Sequence, residues 1–230
     1  MKRLPRLPRF APSTAVPYVA PFAVFMGLLA LHGVYRLPDL ADQILRVTVI
    51  SLVLIFIARP VIDLRAPHWL ASLLLGAAVF LIWIAPDLAF PGYRHHWLFE
   101  NAMLGAPQAG LTAAGQTQPA IVVLRAVRAV ILVPIVEELF WRAWMMRWLI
   151  APDFEKVPLG KYTPLSFWAV ALLFASEHGS YWDVGLLAGV IYNAWMVKSK
   201  SLGDLILTHA VTNACLSAYV IAAGKWEYWL

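Results

Sequence analysis

Two adjacent glutamates stand inside an apolar run, Val133-Pro134-Ile135-Val136-Glu137-Glu138-Leu139-Phe140-Trp141-Arg142. On a helix Glu138 and Arg142 are four positions apart and share a face, which is ion-pair spacing. Glu137 points about 100° away and has no such partner. A carboxylate in that setting suits general base or acid work. Two more places break the apolar pattern: Phe174-Ala175-Ser176-Glu177-His178-Gly179, and His209-Ala210-Val211-Thr212-Asn213, where His209 and Asn213 share a helical face. Each has a plainer structural reading: a Glu–Arg clamp with a second glutamate reaching for water, an interfacial Glu177 and His178, and a His–Asn hydrogen-bond pair joining helices. Together they supply the parts of a hydrolase: a base for water, a group to orient that water, and donors for an oxyanion.

The elements that position these groups follow from composition. The chain has 230 residues, 61% hydrophobic and 13% charged, against about 45–50% apolar and about 25% charged in ordinary soluble domains. There is too little charge to coat a water-facing surface, and enough apolar residues for about seven spans of about 20 residues. A soluble enzyme with one anchor, a disordered chain and a disulfide-built secreted module are excluded. The single cysteine, Cys215, has no internal partner. The net charge of +5 could suggest nucleic acid, but the basic residues flank apolar runs, so no nucleic-acid partner is expected.

Apolar runs cover Pro17 to Tyr35, Leu40 to Ala58, His68 to Ala85, Ile121 to Ile150, Pro164 to His178, Val184 to Val197 and Leu202 to Ala223. Gaps such as Arg59-Pro60, Pro86-Asp87, Pro91-Gly92 and Pro152-Asp153 carry helix-stopping signals. The fold class is therefore all-α, a polytopic membrane helix bundle of about seven to eight helices in one domain, 1–230. The run from Ile121 to Ile150, about 45 Å long at about 1.5 Å per residue, is either two helices or one that projects into water. A signal peptide competes at the N-terminus, but no small-residue cleavage site follows its apolar run. The Pro86 to Ala120 segment is expected to be a loop, with Gly105 to Gln118 a solvated connector or a lid. His95 and His96, beside Arg94 and Trp97, would form an interfacial aromatic and basic belt, with a metal site as the alternative.

With the N-terminus inside, Lys2, Arg3, Arg6, Arg9, Arg59, Arg65, Arg147, Lys156, Lys161, Lys198 and Lys200 face the cytoplasm, eleven against Arg36, Arg94 and Lys225 outside. Arg125 and Arg128, near an outer end, raise the outer count to five. The bias fits the positive-inside rule. It puts Glu137 in the inner half of the membrane, with access expected from the cytoplasmic face.

The ordered motifs EExxxR (Glu137, Glu138, Arg142), FxxxH (Phe174, His178) and HxxxN (His209, Asn213) resemble the CAAX prenyl protease and bacteriocin-processing family of intramembrane proteases, also called the abortive-infection family. The likeness runs from about Ile121 to Ala223, with a protease core at 121–223, and includes the glycine-spaced stretch Gly185 to Tyr192. The Val133 to Arg142 phrase and Glu177-His178 look most like the exosortase-associated subgroup. The resemblance implies a glutamate-dependent endopeptidase in a bacterial inner membrane, without a cofactor, acting on a membrane protein or peptide. It implies that Glu137 deprotonates water and His178 holds that water. His209 and Asn213 would donate to the oxyanion, and Glu138 and Arg142 would brace the helices.

A zinc metallopeptidase is the nearest rival, with Glu137, His178 and His209 as competent ligands, although HExxH is absent. A serine type lacks the GxSxG elbow. An aspartyl type needs paired intramembrane Asp, whereas Asp183 and Asp204 sit in or beside loops. A proton or ion pathway would normally show two related halves. A non-catalytic scaffold in a sorting or immunity pathway is compatible with every residue.

Overall fold

A computed structural model describes residues 14–101, 104 and 109–229. Lys2, Arg3, Arg6 and Arg9 therefore lie outside the described residues, as do 105–108 of the expected connector. Seven main helices follow in order: α1 Val16–Val34, α2 Asp39–Val61, α3 Trp69–Ala89, α4 Pro119–Trp148, α5 Pro164–Ser176, α6 Trp182–Ser199 and α7 Leu202–Ala223. The described residues fold into helices without a β-strand, and among them five helices, α1 to α4 and α7, are long and apolar enough to cross a membrane.

The two remaining runs differ from the expectation of full spans. α5 stops at Ser176 after 13 residues, about 20 Å at about 1.5 Å per residue, short of a hydrocarbon core of about 30 Å. Its chain turns through Gly179 at φ 52°, a left-handed conformation that glycine adopts without penalty. α6 has 18 residues but carries Asp183, Asn193 and Lys198, and it packs inside the bundle.

The outer face is apolar, as a bilayer solvent requires. Phe56, Leu74, Leu81, Val123, Ile131, Leu165, Leu172 and Leu187 are exposed on five different helices. The interior holds Ile50, Val79, Val136, Leu139, Val170, Phe174, Tyr192, Met196 and Leu205. α3 and α7 pack closely through small residues, the usual device between membrane helices. A β-carbon at Gly76 would come within 2.5 Å of the Thr208 carbonyl oxygen, and Thr212 Oγ1 donates to the Gly76 carbonyl at 3.0 Å.

The long apolar run proves to be the single helix α4. It is interrupted by π-helical turns at Arg128–Leu132 and Leu139–Met145. The first has a local cause. Pro134 lacks an N–H and its ring crowds the carbonyl four residues back, and the widened turn before it accommodates both. The double glutamate sits on the short α-helical stretch Val133–Glu138 between the two turns.

The described residues after Pro86 make specific contacts with the bundle, including 110 and 112 of the expected connector. α3 continues to Ala89, and Arg94 is buried, not interfacial. Arg94 bonds to Asp87, Asp183 and the Ser180 carbonyl and lies against Tyr93, Phe99 and Tyr181. Thr112 N–H and Oγ1 both donate to Asp39, at 3.1 and 2.6 Å, and Gly110 N–H donates to the Trp229 carbonyl at 2.7 Å. His95, with its Nδ1 at 2.9 Å from Glu100, and His96 are exposed.

Candidate active site

The three motifs converge. Glu137, Phe174, His178, His209 and Asn213 line one cavity of about 370 Å³ between α1, α3, α4, α5, α6 and α7. Glu138 and Arg142 lie directly behind it, fully buried.

Glu138 is the hub of that backing layer. Its Oε1 accepts from Arg142 Nη1 at 3.0 Å and faces His209 Nδ1 at 2.8 Å. Arg142 in turn donates from Nε to Asn193 Oδ1 at 2.9 Å, and Asn193 Nδ2 donates to the Phe167 carbonyl at 2.8 Å. The guanidinium also lies 4.3 Å from the centre of the Phe174 ring, a cation–π contact. Four helices, α4, α5, α6 and α7, are thus tied through one buried ion pair at the intramembrane level.

The front layer faces the cavity. Glu137 is 6% exposed, and its Oε2 has no hydrogen-bond partner. His209 Nε2 lies 3.9 Å from that oxygen. His178 Nδ1 meets the Phe174 carbonyl at 2.7 Å. A carbonyl only accepts, so Nδ1 carries the proton and Nε2 holds the lone pair. His178 itself lies just past the end of α5, and its N–H bonds to the Ala175 carbonyl. Its ring rests on α6 where Gly185 leaves room, since a β-carbon there would come within 3.1 Å of the ring. Asn213 Nδ2 donates to the Ala129 carbonyl at 2.8 Å, in the first π turn, and an amide nitrogen has a second N–H to offer.

Sequence reasoning placed Glu177 at the interface. The structure places it in the cavity wall, with Oε1 accepting from Trp141 Nε1 at 2.9 Å. Ligand atoms of Glu137, Glu177 and His178 lie within 4.8 Å of one another. Of the three zinc ligands expected, His209 is replaced in this group by Glu177. Asn193 was also missed. The signal for both was the one used for the other motifs: a polar side chain inside or next to an apolar run.

Asp183 and Asp204 cannot form a catalytic pair. Asp183 opens α6 and binds Arg94 and Tyr93, while Asp204 opens α7 at the other end of the bundle, holding His68 Nδ1 at 2.8 Å.

The cavity has a direction along the bundle. Its walls use the later halves of α1, α3 and α7, the C-terminus of α5, the earlier part of α4 and α6, and Tyr228 and Trp229 beyond α7. All of these point to the bundle end that carries residues 90–101, 109–118 and 177–181. The connections at 62–68, 149–163 and 200–201 lie at the opposite end, with Arg65, Lys156, Lys161 and Lys200. Between Glu137 and that end, α4 is closed by buried Trp141, Arg142 and Ala143. The cavity walls therefore lie toward the bundle end opposite the cationic connections.

These features define a polytopic helical membrane protein with a largely apolar cavity into which glutamate, histidine and asparagine side chains project. Residues 119–215 match the Rce1-like family model, described as type II CAAX prenyl endopeptidase Rce1-like. The match agrees with the resemblance carried by the three motifs, and the matched segment holds all seven motif residues. The match supports a CAAX protease-type enzyme and, with the long apolar helices, an integral membrane protein. No curated protein and no solved structure matches the chain.

Proposed function

We propose that the chain is an intramembrane endopeptidase in which Glu137 activates water. The observation that carries this reading is the pairing of Glu137, whose Oε2 has no hydrogen-bond partner, with the lone-pair face of His178 in one cavity. A water between them gives one hydrogen to Glu137 and the other to His178 Nε2, which leaves an oxygen lone pair free for a peptide carbonyl. As the C–O bond forms, Glu137 takes the proton and the carbonyl π electrons move to oxygen. Asn213 offers its second N–H to that oxyanion, and His209, when doubly protonated between Glu138 and Glu137, offers Nε2–H. Collapse breaks the C–N bond, and the proton on Glu137 passes to the leaving nitrogen. Such donors act strongly where water is excluded.

With the N-terminus in the cytoplasm of a bacterial inner membrane, the cavity faces the outer side. The Val133 to Arg142 phrase and Glu177-His178 support the narrower placement with exosortase-associated proteins. The test is comparative proteomics of cells carrying wild type or Glu137→Gln. A membrane protein whose terminus is trimmed only by wild type is expected. Identical termini in both, at equal abundance of the two enzymes, would count against proteolysis and leave the scaffold reading.

One observation favours a second reading. Glu137, Glu177 and His178 have the donor chemistry of a mixed carboxylate and imidazole zinc site, and their grouping within 4.8 Å would let a metal-bound water replace the water held by hydrogen bonds. Loss of activity on treatment with a strong chelator, restored by zinc, separates the two.

A further inference from the structure

A second pocket, of about 690 Å³, opens at the cationic end of the bundle. Its wall shares no residue with the cavity that holds Glu137. Along α4 the ten residues from Glu137 to Arg147 separate the two by about 15 Å at about 1.5 Å per residue. Arg65, Arg147 and Lys200 line the pocket, with Asp63 as the carboxylate in that wall. Arg65 Nε donates to Asp63 Oδ1 at 3.1 Å. Arg147 is 8% exposed; its Nε donates to the Ala143 carbonyl and its Nη1 to the Val157 carbonyl at 3.4 Å. All 13 Asp and Glu residues of the chain are among the described ones, and none is ion-paired with Arg147 or Lys200. At this end Asp63, Asp153 and Asp204 engage Arg65, Lys156 and His68, and Glu155 is exposed. A buried cation without an anion is costly.

The backbone holds these cations around the opening. A β-carbon on Gly203 would come within 2.7 Å of the Leu64 carbonyl carbon, so the start of α7 packs directly on the connection that carries Arg65. A β-carbon on Gly160 would come within 3.1 Å of Lys200 Cγ, so the 157–163 connection lies against the stem of that lysine. Lys200 ends α6 at φ 53°, a left-handed conformation that favours glycine and is usual for glycine at a helix end. The chain keeps a cation where its backbone would be more relaxed without one.

We propose that this pocket binds the phosphate of an anionic phospholipid headgroup, a role independent of the chemistry assigned to Glu137. Depth is the first argument. Trp69 and Trp148, at the start of α3 and the end of α4, are exposed at this end, and exposed tryptophans gather at headgroup level. Charge is the second: three cations face one carboxylate, and a phosphate diester supplies the missing anion through strong charge-assisted bonds. Ser199 Oγ accepts from the Ser201 N–H at 3.3 Å and keeps its own hydrogen to donate. The third is the apolar part of the wall, from Tyr18, Val61, Pro67, Leu159 and Leu202. It offers nothing to a free phosphate ion but covers the glycerol and first acyl carbons of a lipid. With the N-terminus inside, this end meets the cytoplasmic leaflet, where the surface is negative and basic pockets between helices hold anionic headgroups.

The test titrates the full chain, purified in detergent, with dioleoyl-phosphatidylglycerol, dioleoyl-phosphatidylcholine, dioleoylglycerol and inorganic phosphate, and reads the thermal unfolding midpoint. Phosphatidylglycerol is expected to stabilise with an apparent affinity about tenfold above that of phosphatidylcholine, and dioleoylglycerol to have no effect. Lys200→Gly removes a cation where the backbone favours glycine, so the lipid-free midpoint should hold or rise while phosphatidylglycerol affinity falls about tenfold. Arg65→Gln, at an exposed side chain, should lower that affinity as well, and Arg147→Gln should abolish the preference for the anionic lipid. Should Arg147→Gln fail to fold, the other two variants still decide. Lys161→Gln, at the same end but outside the pocket wall, should leave the affinity unchanged. Equal responses to the two phospholipids, or an affinity untouched by both Lys200→Gly and Arg65→Gln, would overturn the proposal. A loss in Lys161→Gln as large as theirs would also overturn it, by showing diffuse surface attraction. Stabilisation by inorganic phosphate and not by phosphatidylglycerol would replace the lipid with a soluble phosphate compound and overturn it equally.

Discussion

Glu138 and His209 meet at 2.8 Å through Oε1 and Nδ1, and the other imidazole nitrogen is turned to Glu137 at 3.9 Å. One glutamate of the pair thus fixes the ring that faces the other. The double glutamate divides into a residue that holds and a residue that is held open.

The holding half should report as stability. Arg142 and Glu138 are both fully buried, and removing one partner of a buried ion pair costs about 3–5 kcal/mol. Arg142→Met is expected to lower the melting temperature in detergent sharply, because it strands Glu138 and frees Asn193. An unchanged melting temperature would show that the four helices are tied elsewhere.

The open half should report as rate. Glu137→Gln keeps the side-chain shape and removes the base, so cleavage is expected to fall by about 10²–10⁴ with an unaltered melting temperature. Turnover at the wild-type rate by the purified variant would remove Glu137 from the mechanism.

Asn213 has one N–H committed to the Ala129 carbonyl and one for the oxyanion. Asn213→Ala is expected to lose about 10²–10³ in kcat, the usual cost of one oxyanion donor, and to retain measurable activity. A loss confined to KM would place Asn213 in binding instead.

Glu177 decides between water held by hydrogen bonds and water held by metal. Glu177→Gln preserves an oxygen to accept from Trp141, so it alters the charge and not the fold. Without a metal, activity should survive this change and survive chelation. Loss under both conditions, with zinc content falling in step, would convert the assignment to a metallopeptidase.

Access can be read by thiol labelling. With Cys215 replaced by serine, a cysteine at Leu29 or Trp83 on the cavity wall is expected to react with a membrane-impermeant reagent from the outer face of intact cells. Reaction only in inverted vesicles would turn the molecule over and put the cationic connections outside.

The sequence announced the helices and the three motifs because charge is conspicuous in an apolar chain. It was less informative where the meaning of a polar residue depends on packing. Glu177 and His178 are neighbours at a helix end, which reads as an interface until α6 closes over them at Gly185. Arg94 reads as a belt residue until Asp87 and Asp183 arrive from two other segments. Trp141 reads as one more apolar residue of its run until packing buries it beside Arg142, between Glu137 and the cationic connections. Asn193 is a carboxamide in a helix that was examined for its glycines.

The two π turns of α4 have a consequence for phase. Each takes in a residue without adding a full turn, so the helical wheel shifts at Arg128–Leu132 and again at Leu139–Met145. Glu137 and Glu138 lie between the shifts, on a stretch whose azimuth is set independently of both ends. Deleting one residue from either turn would shorten the span by little more than an ångström, yet swing the glutamates by about 100° relative to Arg128 on one side or Arg142 on the other. The orientation of this centre is therefore encoded in residue count, and an alignment of α4 that ignores the two extra residues would superimpose the wrong faces.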